Sequence, residues 1–274
     1  EVKRRSSIQC ALLPCEWTGL KINVLDTPGY LDFVGEVKAC LRAADAAVIL
    51  VDAAVGVEVG TEMVWKYAEE LGLPRFVVVN KMDRENADFF RALQSAQSRL
   101  DKKCIPIQIP SGAQADFKGV VDILDSGAEA VGVDKEQAQK LREALVEAVA
   151  EADDGLMAKY LDGKELSREE LVRGLRAGVL AGSVVPVLAT AGAQNKGARE
   201  LLNAIAAYMP TPAERPPVEA VNAHGNQRVK VPPDPNGPLC ALVFKTTADP
   251  YVGKVTYYRI FSGAIKADSH FWNI

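Results

Sequence analysis

The feature that most constrains this chain is an alternation of short runs with apolar centres and stretches of helical spacing. "AAVILVDA" (Ala46 to Ala53), "PRFVVVNKMD" (Pro74 to Asp83), "CIPIQIP" (Cys104 to Pro110) and "VVPVLAT" (Val184 to Thr190) have the length and β-branched content of strands covered on both faces. Between them, "GTEMVWKYAEELG" reads as an amphipathic helix ending at Gly72, and "NADFFRALQSAQSRL" and "GARELLNAIAAYM" read as further helices. Upstream, "SIQCALLPCEW" and "LKINVL" are β-rich and separated by Thr18-Gly19, a hairpin signal. "INVL" reads as a buried strand with Asp26 at its carboxyl end, and a helix with Phe33, Val37 and Leu41 on one face follows. Strands alternating with helices of this length imply parallel βαβ units with right-handed crossovers. The expected fold class is α/β, a doubly wound and mostly parallel sheet, whose ligands sit at the carboxyl ends of its strands.

The alternation falters after Pro110. "DFKGVVDIL" reads as a strand pair or an edge strand, and helical patterns follow over 135–151, 154–161 and 167–180. An inserted α+β subdomain over about 110–183 accounts for this, with Leu141, Leu145 and Ala148 as the apolar face of its long helix and the acidic face solvated. The segment "PTPAERPPVEAVNAHGNQRVKVPPDPNGP" has the Pro, Gly and Asn content of a linker, and the remainder alternates like antiparallel strands. The expected organisation is a sheet domain over 1–208 with its insert, a linker over 209–236, and the opening part of a second, β domain over 237–274. The chain begins without methionine and stops at "HFWNI" inside an apparent strand, so it is expected to be a piece of a longer polypeptide.

A formal net charge of −4 over 274 residues gives no global field that would draw the chain onto nucleic acid or an anionic membrane. The five cysteines (Cys10, Cys15, Cys40, Cys104, Cys240) form no C-x-x-C pair and read as small buried thiols of a reducing compartment. No stretch of about 18 apolar residues or secretory pattern occurs, so the expected location is the cytoplasm, with no membrane partner.

Two strand ends carry chemistry: Asp26-Thr27-Pro28-Gly29 after "INVL" and Asn80-Lys81-Met82-Asp83 after "FVVV". An aspartate in the first place can hold Mg²⁺ through water, and Gly29 lets a backbone N–H approach a phosphate oxygen. A carboxylate at Asp83 can accept from guanine's ring N–H and exocyclic amine. Adenine lacks that donor pair, and sites of this kind discriminate by roughly 10⁴-fold or more. Asn80 would brace the loop, and the Lys81 stem would cover the base face. Taken singly, Asp-Thr-Pro-Gly is also a good turn, and Asn80 and Asp83 are also good helix N-caps. Both motifs on loops of one sheet favour the ligand-binding reading. An ATPase using Asp26 as its magnesium carboxylate is a more distant reading, which Asp83 argues against.

The pair "DTPG" and "NKMD" resembles the GTPase domain of translational GTPases. The longer stretches "DTPGYLDFVGEV", "VNKMDRENADF", "FKGVVD", "NKGARELLNAIAAYMPTP" and "PDPNGPLCALVFKTTADPYVGK" are similar to the bacterial elongation factor G family, and the resemblance covers nearly the whole chain. It implies a P-loop GTPase fold, GTP or GDP with Mg²⁺ as ligands, the ribosome as partner, a monomer, and a cytoplasmic protein that hydrolyses GTP to drive translocation or ribosome recycling. It also implies that 237–274 is the start of a β-barrel domain and that the exposed side of the insert touches the ribosomal stalk. Ala191-Gly192, in "TAGAQNKG", falls where the family's third guanine-contacting loop has Ser-Ala; a backbone N–H contact survives that change, and a serine hydroxyl contact does not.

Three departures bear on activity. No G-x-x-x-x-G-K-[ST] motif occurs, because Gly163-Lys164 and Gly253-Lys254 are followed by Glu165 and Val255. The phosphate cradle and its lysine are expected upstream of Glu1, and residues 1–274 alone are expected to be inactive. The switch-one motif Arg-Gly-Ile-Thr aligns with Arg4-Arg5-Ser6-Ser7, leaving Ser7 either as a magnesium-sensing hydroxyl or as an ordinary polar residue entering a strand. Tyr30 stands where the family has its water-orienting histidine. A phenol is a poor base at neutral pH. It can position a water, or it can pack as an apolar plug that slows hydrolysis. The alternative function is therefore a hydrolysis-impaired GTP-binding paralogue that acts on the ribosome as a binding module.

Overall fold

The computed structural model describes residues 3, 6–125, 133, 135–221 and 227–270. In chain order its elements are β1 (Ala11–Trp17), β2 (Leu20–Asp26), α1 (Val34–Ala43), β3 (Ala47–Asp52), α2 (Val59–Glu70), β4 (Arg75–Asn80) and α3 (Phe89–Arg99). Then come β5 (Cys104–Pro106), β6 (Gln108–Ser111), β7 (Gly119–Asp122), α4 (Lys135–Glu151), α5 (Asp154–Leu161) and α6 (Arg168–Ala181). The remainder is β8 (Val185–Ala189), α7 (Ala198–Tyr208), β9 (Val218–Val221), β10 (Arg228–Val231), β11 (Cys240–Asp249) and β12 (Gly253–Ser262). Two compact units hold them: residues 14–23 with 46–209, and residues 1–13, 24–45 and 210–274.

The larger unit is built on a parallel sheet of order β3-β4-β8-β5. Side chains alternate across it with the period of two that a strand imposes. Val77 and Val79 of β4 join Ile49, Val51, Val187 and residues of α2 and α3, including Trp65, Phe89 and Leu93, on one face. Phe76 and Val78 join Leu188 and residues of α4, α5, α6 and α7, including Leu145, Leu156, Leu175 and Tyr208, on the other. Helices on both faces of a parallel sheet make this the doubly wound α/β architecture expected from the alternation.

Local signals set the helix ends. Ser167 caps α6 in a reciprocal box with Glu170, and Gly182 closes that helix in the left-handed region at φ 71°. Asp153 caps α5 by accepting from the N–H groups of Gly155 and Leu156. Mid-helix, Gly174 lets α6 approach its neighbours: a Cβ there would lie 2.6 Å from Leu156 Cδ1 and from Val149 Cγ1. The long helix α4 turns Leu145 and Val149 fully inward, with Leu141 and Ala148 partly buried beside them.

Several expectations change. β2 does not lie buried in the parallel sheet; it pairs with β1 around the Thr18-Gly19 turn, both residues at positive φ (46° and 79°). Outside the sheet, its Val24 stays 39% exposed. β3 is an edge strand and is covered on one face only, leaving Val48 and Leu50 exposed. The buried stripe of α1 is Val37, Cys40 and Ala43, a rotation from the expected Phe33, Val37 and Leu41. "CIPIQIP" breaks in two, because β5 pairs parallel with β8 whereas β6 turns to pair antiparallel with β7.

In the smaller unit, β9 pairs with β10 and β11 with β12, both antiparallel, so the proline-rich stretch itself contributes strands. Asp249 Oδ1 accepts from the N–H groups of Tyr251 and Val252 at the β11–β12 turn. Arg259 of β12 forks onto both Asp45 oxygens at 2.8 Å and donates to the Ala43 carbonyl at the end of α1. All five cysteines are free: Cys10, Cys40 and Cys104 are buried, and Cys15 and Cys240 half-buried. Burial raises the Cys10 and Cys40 thiols and pushes Cys104 up to about 12. Leu175, fully buried between α6 and the sheet, is the test of that core. Leu175→Ala is expected to lower unfolding free energy by about 2–5 kcal/mol in denaturant titration.

Candidate functional site

The carboxyl ends of β4 and β8 lie side by side in the sheet, with Val79 opposite Ala189. Each strand runs directly into a polar loop, and one side chain ties the two loops together. Asn80 Oδ1 accepts from the Thr190 hydroxyl at 3.0 Å and from the Gly192 N–H at 3.0 Å. The next residue, Lys81, adopts φ 64°, which turns the chain so that the Met82 side chain is fully buried and its N–H reaches the Thr190 carbonyl at 3.1 Å. Asp83 therefore emerges half-buried from a loop anchored at both of its preceding residues.

The β8 loop is closed just as tightly. Ala191 N–H donates to the Lys196 carbonyl at 2.9 Å, the Lys196 N–H returns to Ala191 at 3.3 Å, and Gly192 to Gln194 form a single 3-10 turn between them. Gly197 has φ 78°, and a Cβ on it would stand 2.5 Å from the Ala189 carbonyl oxygen. No other residue fits that approach without moving backbone. Lys196 Nζ extends to the Phe117 carbonyl at 2.6 Å, and Gln114 N–H to the Met82 carbonyl at 2.9 Å, so the β6–β7 turn buttresses both loops.

Three participants had no motif to announce them. Thr190 and Gln194 meet partners 110 and 111 positions away in sequence, Gln194 Nε2 donating to Asp83 Oδ2 at 3.0 Å. Asp52 ends β3 much as Asp26 ends β2, and that strand-end position is the one signal by which it could have been found. It takes the Lys81 ammonium at 2.6 Å, so the lysine head is engaged on the neighbouring strand end. Burial opposes the charge on Asp52, but the Lys81 hydrogen bond and the Ala54 N–H outweigh it and hold the carboxyl below its ordinary range.

The other motif belongs to the smaller unit. Asp26 is exposed at the end of β2, Thr27 is half-buried, Pro28 is buried, and Gly29 has nothing within 4 Å of where a Cβ would lie. Tyr30 is 63% exposed. Its carbonyl accepts from the Phe33 N–H in the turn that leads into α1. Ser7 is half-buried ahead of β1 and lines a cavity with Cys10, Lys245 and Tyr257. Arg4 and Arg5 of the switch-one alignment lie outside the described residues. The structure thus gathers Asn80, Lys81, Met82, Asp83, Ala191 and Gly192 in one place, and Asp26, Thr27, Pro28, Gly29 and Tyr30 on one segment of the other unit.

Among the described residues, no three His, Cys, Asp or Glu side chains form a ready metal cage. Asp26 presents an exposed carboxylate and Ser7 carries a hydroxyl, the hard-oxygen donor types that magnesium takes, and Gly29 has open space beside it. The loop lock has its own test. Asn80→Ala leaves the Thr190 hydroxyl and the Gly192 N–H without their acceptor, at an expected cost of about 1–3 kcal/mol. Amide exchange at Gly192 is expected to accelerate in that variant, read by hydrogen–deuterium exchange.

The chain is similar to known proteins over most of its length. Residues 1–211 match the family model described as the elongation factor Tu GTP-binding domain. Elongation factor G of Thermotoga petrophila is 39% identical over 287 residues, covering 100% of this chain and 41% of the relative. That of Thermotoga maritima is also 39% identical, with 42% of its length covered. The chain therefore spans about two-fifths of the curated relatives it matches. A crystal structure from Thermus thermophilus superposes with TM-score 0.80 and 34% identity, over 95% of this chain and 38% of that one. With a doubly wound sheet, strand-end loops and a family match over most of its length, the chain belongs to the elongation factor Tu GTP-binding domain family and is similar along its whole length to part of elongation factor G.

Proposed function

We propose that the protein of which this chain is part binds GTP, hydrolyses it on the ribosome, and uses the change to drive translocation or ribosome recycling. The observation that carries this reading is the lock of Asn80 onto Thr190 and Gly192, which presents the Asp83 carboxylate beside the backbone of Ala191 and Gly192 at the sheet's carboxyl edge. A carboxylate held there accepts from the two donors on guanine's edge and rejects adenine, which would leave it half-paired. The backbone of Ala191-Gly192 would contact the base, with no serine hydroxyl to add to it. In this reading Asp26, through water, and Ser7 hold the magnesium ion, which supplies positive charge to the phosphates when bound. Gly29 admits a backbone N–H to the terminal phosphate, and the Tyr30 hydroxyl orients the attacking water, a positioning role of the kind that dominates phosphoryl transfer. The ribosome is the proposed partner, with the solvated face of α4 as the stalk contact, and the protein acts as a cytoplasmic monomer. The division proposed is a GTPase domain over 1–208 with its insert over about 110–183, a linker over 209–236 and a partial β-barrel over 237–274. Residues 1–274 hold no G-x-x-x-x-G-K-[ST] segment and are proposed to bind nucleotide weakly and to be inactive on their own.

Calorimetry on the full-length protein tests the reading. Binding of GDP is expected at micromolar or tighter affinity with no measurable ADP binding. Asp83→Ala is expected to weaken GDP by roughly 10- to 100-fold. Absence of guanine-nucleotide binding by the full-length protein overturns it.

A second reading rests on Tyr30, whose exposed ring stands next to Gly29 where a water-orienting histidine is expected. In it, the protein binds GTP and ribosomes but turns over slowly. Ribosome-stimulated GTP hydrolysis by wild type and Tyr30→His separates the two: a gain on introducing histidine supports the slow-turnover reading, and no gain argues against it.

A further inference from the structure

Within the site just described, Asp83 is held from one direction. Among the described residues, the hydrogen bond to its carboxylate comes from Gln194, whose Nε2 lies 3.0 Å from Oδ2. A carboxylate has about four lone-pair positions. Guanine's ring N–H and amine use one on each oxygen, so Oδ2 can take Gln194 and one guanine donor together. Without a partner, the terminal torsion of an aspartate is broad and roughly two-fold. An aspartate left that free meets guanine edge-on only part of the time.

Gln194 is placed to remove that freedom. Its backbone closes the 3-10 turn Gly192–Gln194, which is pinned at one end by the Asn80 contact and at the other by the two-way Ala191–Lys196 pairing. The donor is a neutral amide, so it orients the Asp83 charge without cancelling it, as a lysine or arginine partner would. Both side chains reach the surface, so the contact adds no core packing that its loss could disturb.

We propose that Gln194 is a positioning residue for base recognition: its side-chain amide fixes the plane of the Asp83 carboxylate so that both oxygens face guanine. The proposal rests on the reading of Asp83 as the guanine acceptor. It concerns selectivity, which a purely structural role would not move. The Gln194→Ala variant of the full-length protein is expected to melt at the wild-type temperature and to bind GDP about 3- to 10-fold more weakly. It is expected to lose a similar factor in its preference for GDP over inosine diphosphate, which lacks the exocyclic amine. Gln194→Glu sets a second carboxylate against Asp83 and is expected to weaken GDP further than Gln194→Ala does. GDP affinity and the GDP-to-inosine-diphosphate ratio that stay at wild-type values in Gln194→Ala overturn the proposal. Tighter GDP binding in Gln194→Ala also overturns it, because the amide would then be a competitor for the base. A wild-type protein with no preference for GDP over ADP removes the Asp83 reading and this inference with it, whereas a preference that survives Gln194→Ala unchanged removes this inference alone.

Discussion

Everything proposed for this site depends on one acceptor atom, the side-chain oxygen of Asn80. It receives a hydroxyl from Thr190 and a backbone N–H from Gly192, residues 110 and 112 positions away in sequence. The parallel sheet brings β4 and β8 into neighbouring positions, but a sheet fixes only its strands. Beyond Asn80 and Ala189 the two chains leave the ladder, and hydrophobic burial has little further hold on them. A shared oxygen, the buried Met82 beneath it and the reversal at Lys81 carry the order of the sheet a few residues further out, to where a ligand can meet it. In the proposed function Asp83 can serve recognition only because those contacts have already fixed its backbone.

The large core was legible in the residue pattern because burial has a period. β8 is wholly apolar and β4 is apolar between Arg75 and Asn80 because both their faces are covered, and α2, α3, α4, α5 and α6 show one apolar stripe each because one side joins a core cluster against the sheet or its helices. Where the pattern misled, the missing information was the partner. "INVL" reads as a buried strand, yet β2 belongs to a two-stranded hairpin and stays largely exposed. "CIPIQIP" is one apolar run, yet it changes partner from parallel β8 to antiparallel β7 across Ile107. Apolar content shows that a run is a strand and is silent on which edge it joins.

The site divides along the same line. Asp26, Asn80 and Asp83 stood out as polar groups at the ends of apolar runs, because such positions are poor places for a side chain with no work to do. Ala191 and Gly192 entered through resemblance alone. Thr190, Gln194 and Asp52 were hidden, since a hydroxyl, an amide and a further strand-end carboxylate become partners only after the chain has folded.

The two loops also differ in the kind of force that holds them. The backbone turn around Gly192 is tied by neutral hydrogen bonds and closed at Gly197 by a backbone conformation that only glycine enters without strain. The lysine of the β4 loop is tied to Asp52 by an ion pair whose lysine side chain is 42% exposed. Dissolved ions screen the second and leave the first nearly untouched. Ionic strength is therefore an asymmetric lever here: salt loosens the grip on Lys81 while the turn around Gly192 keeps its shape.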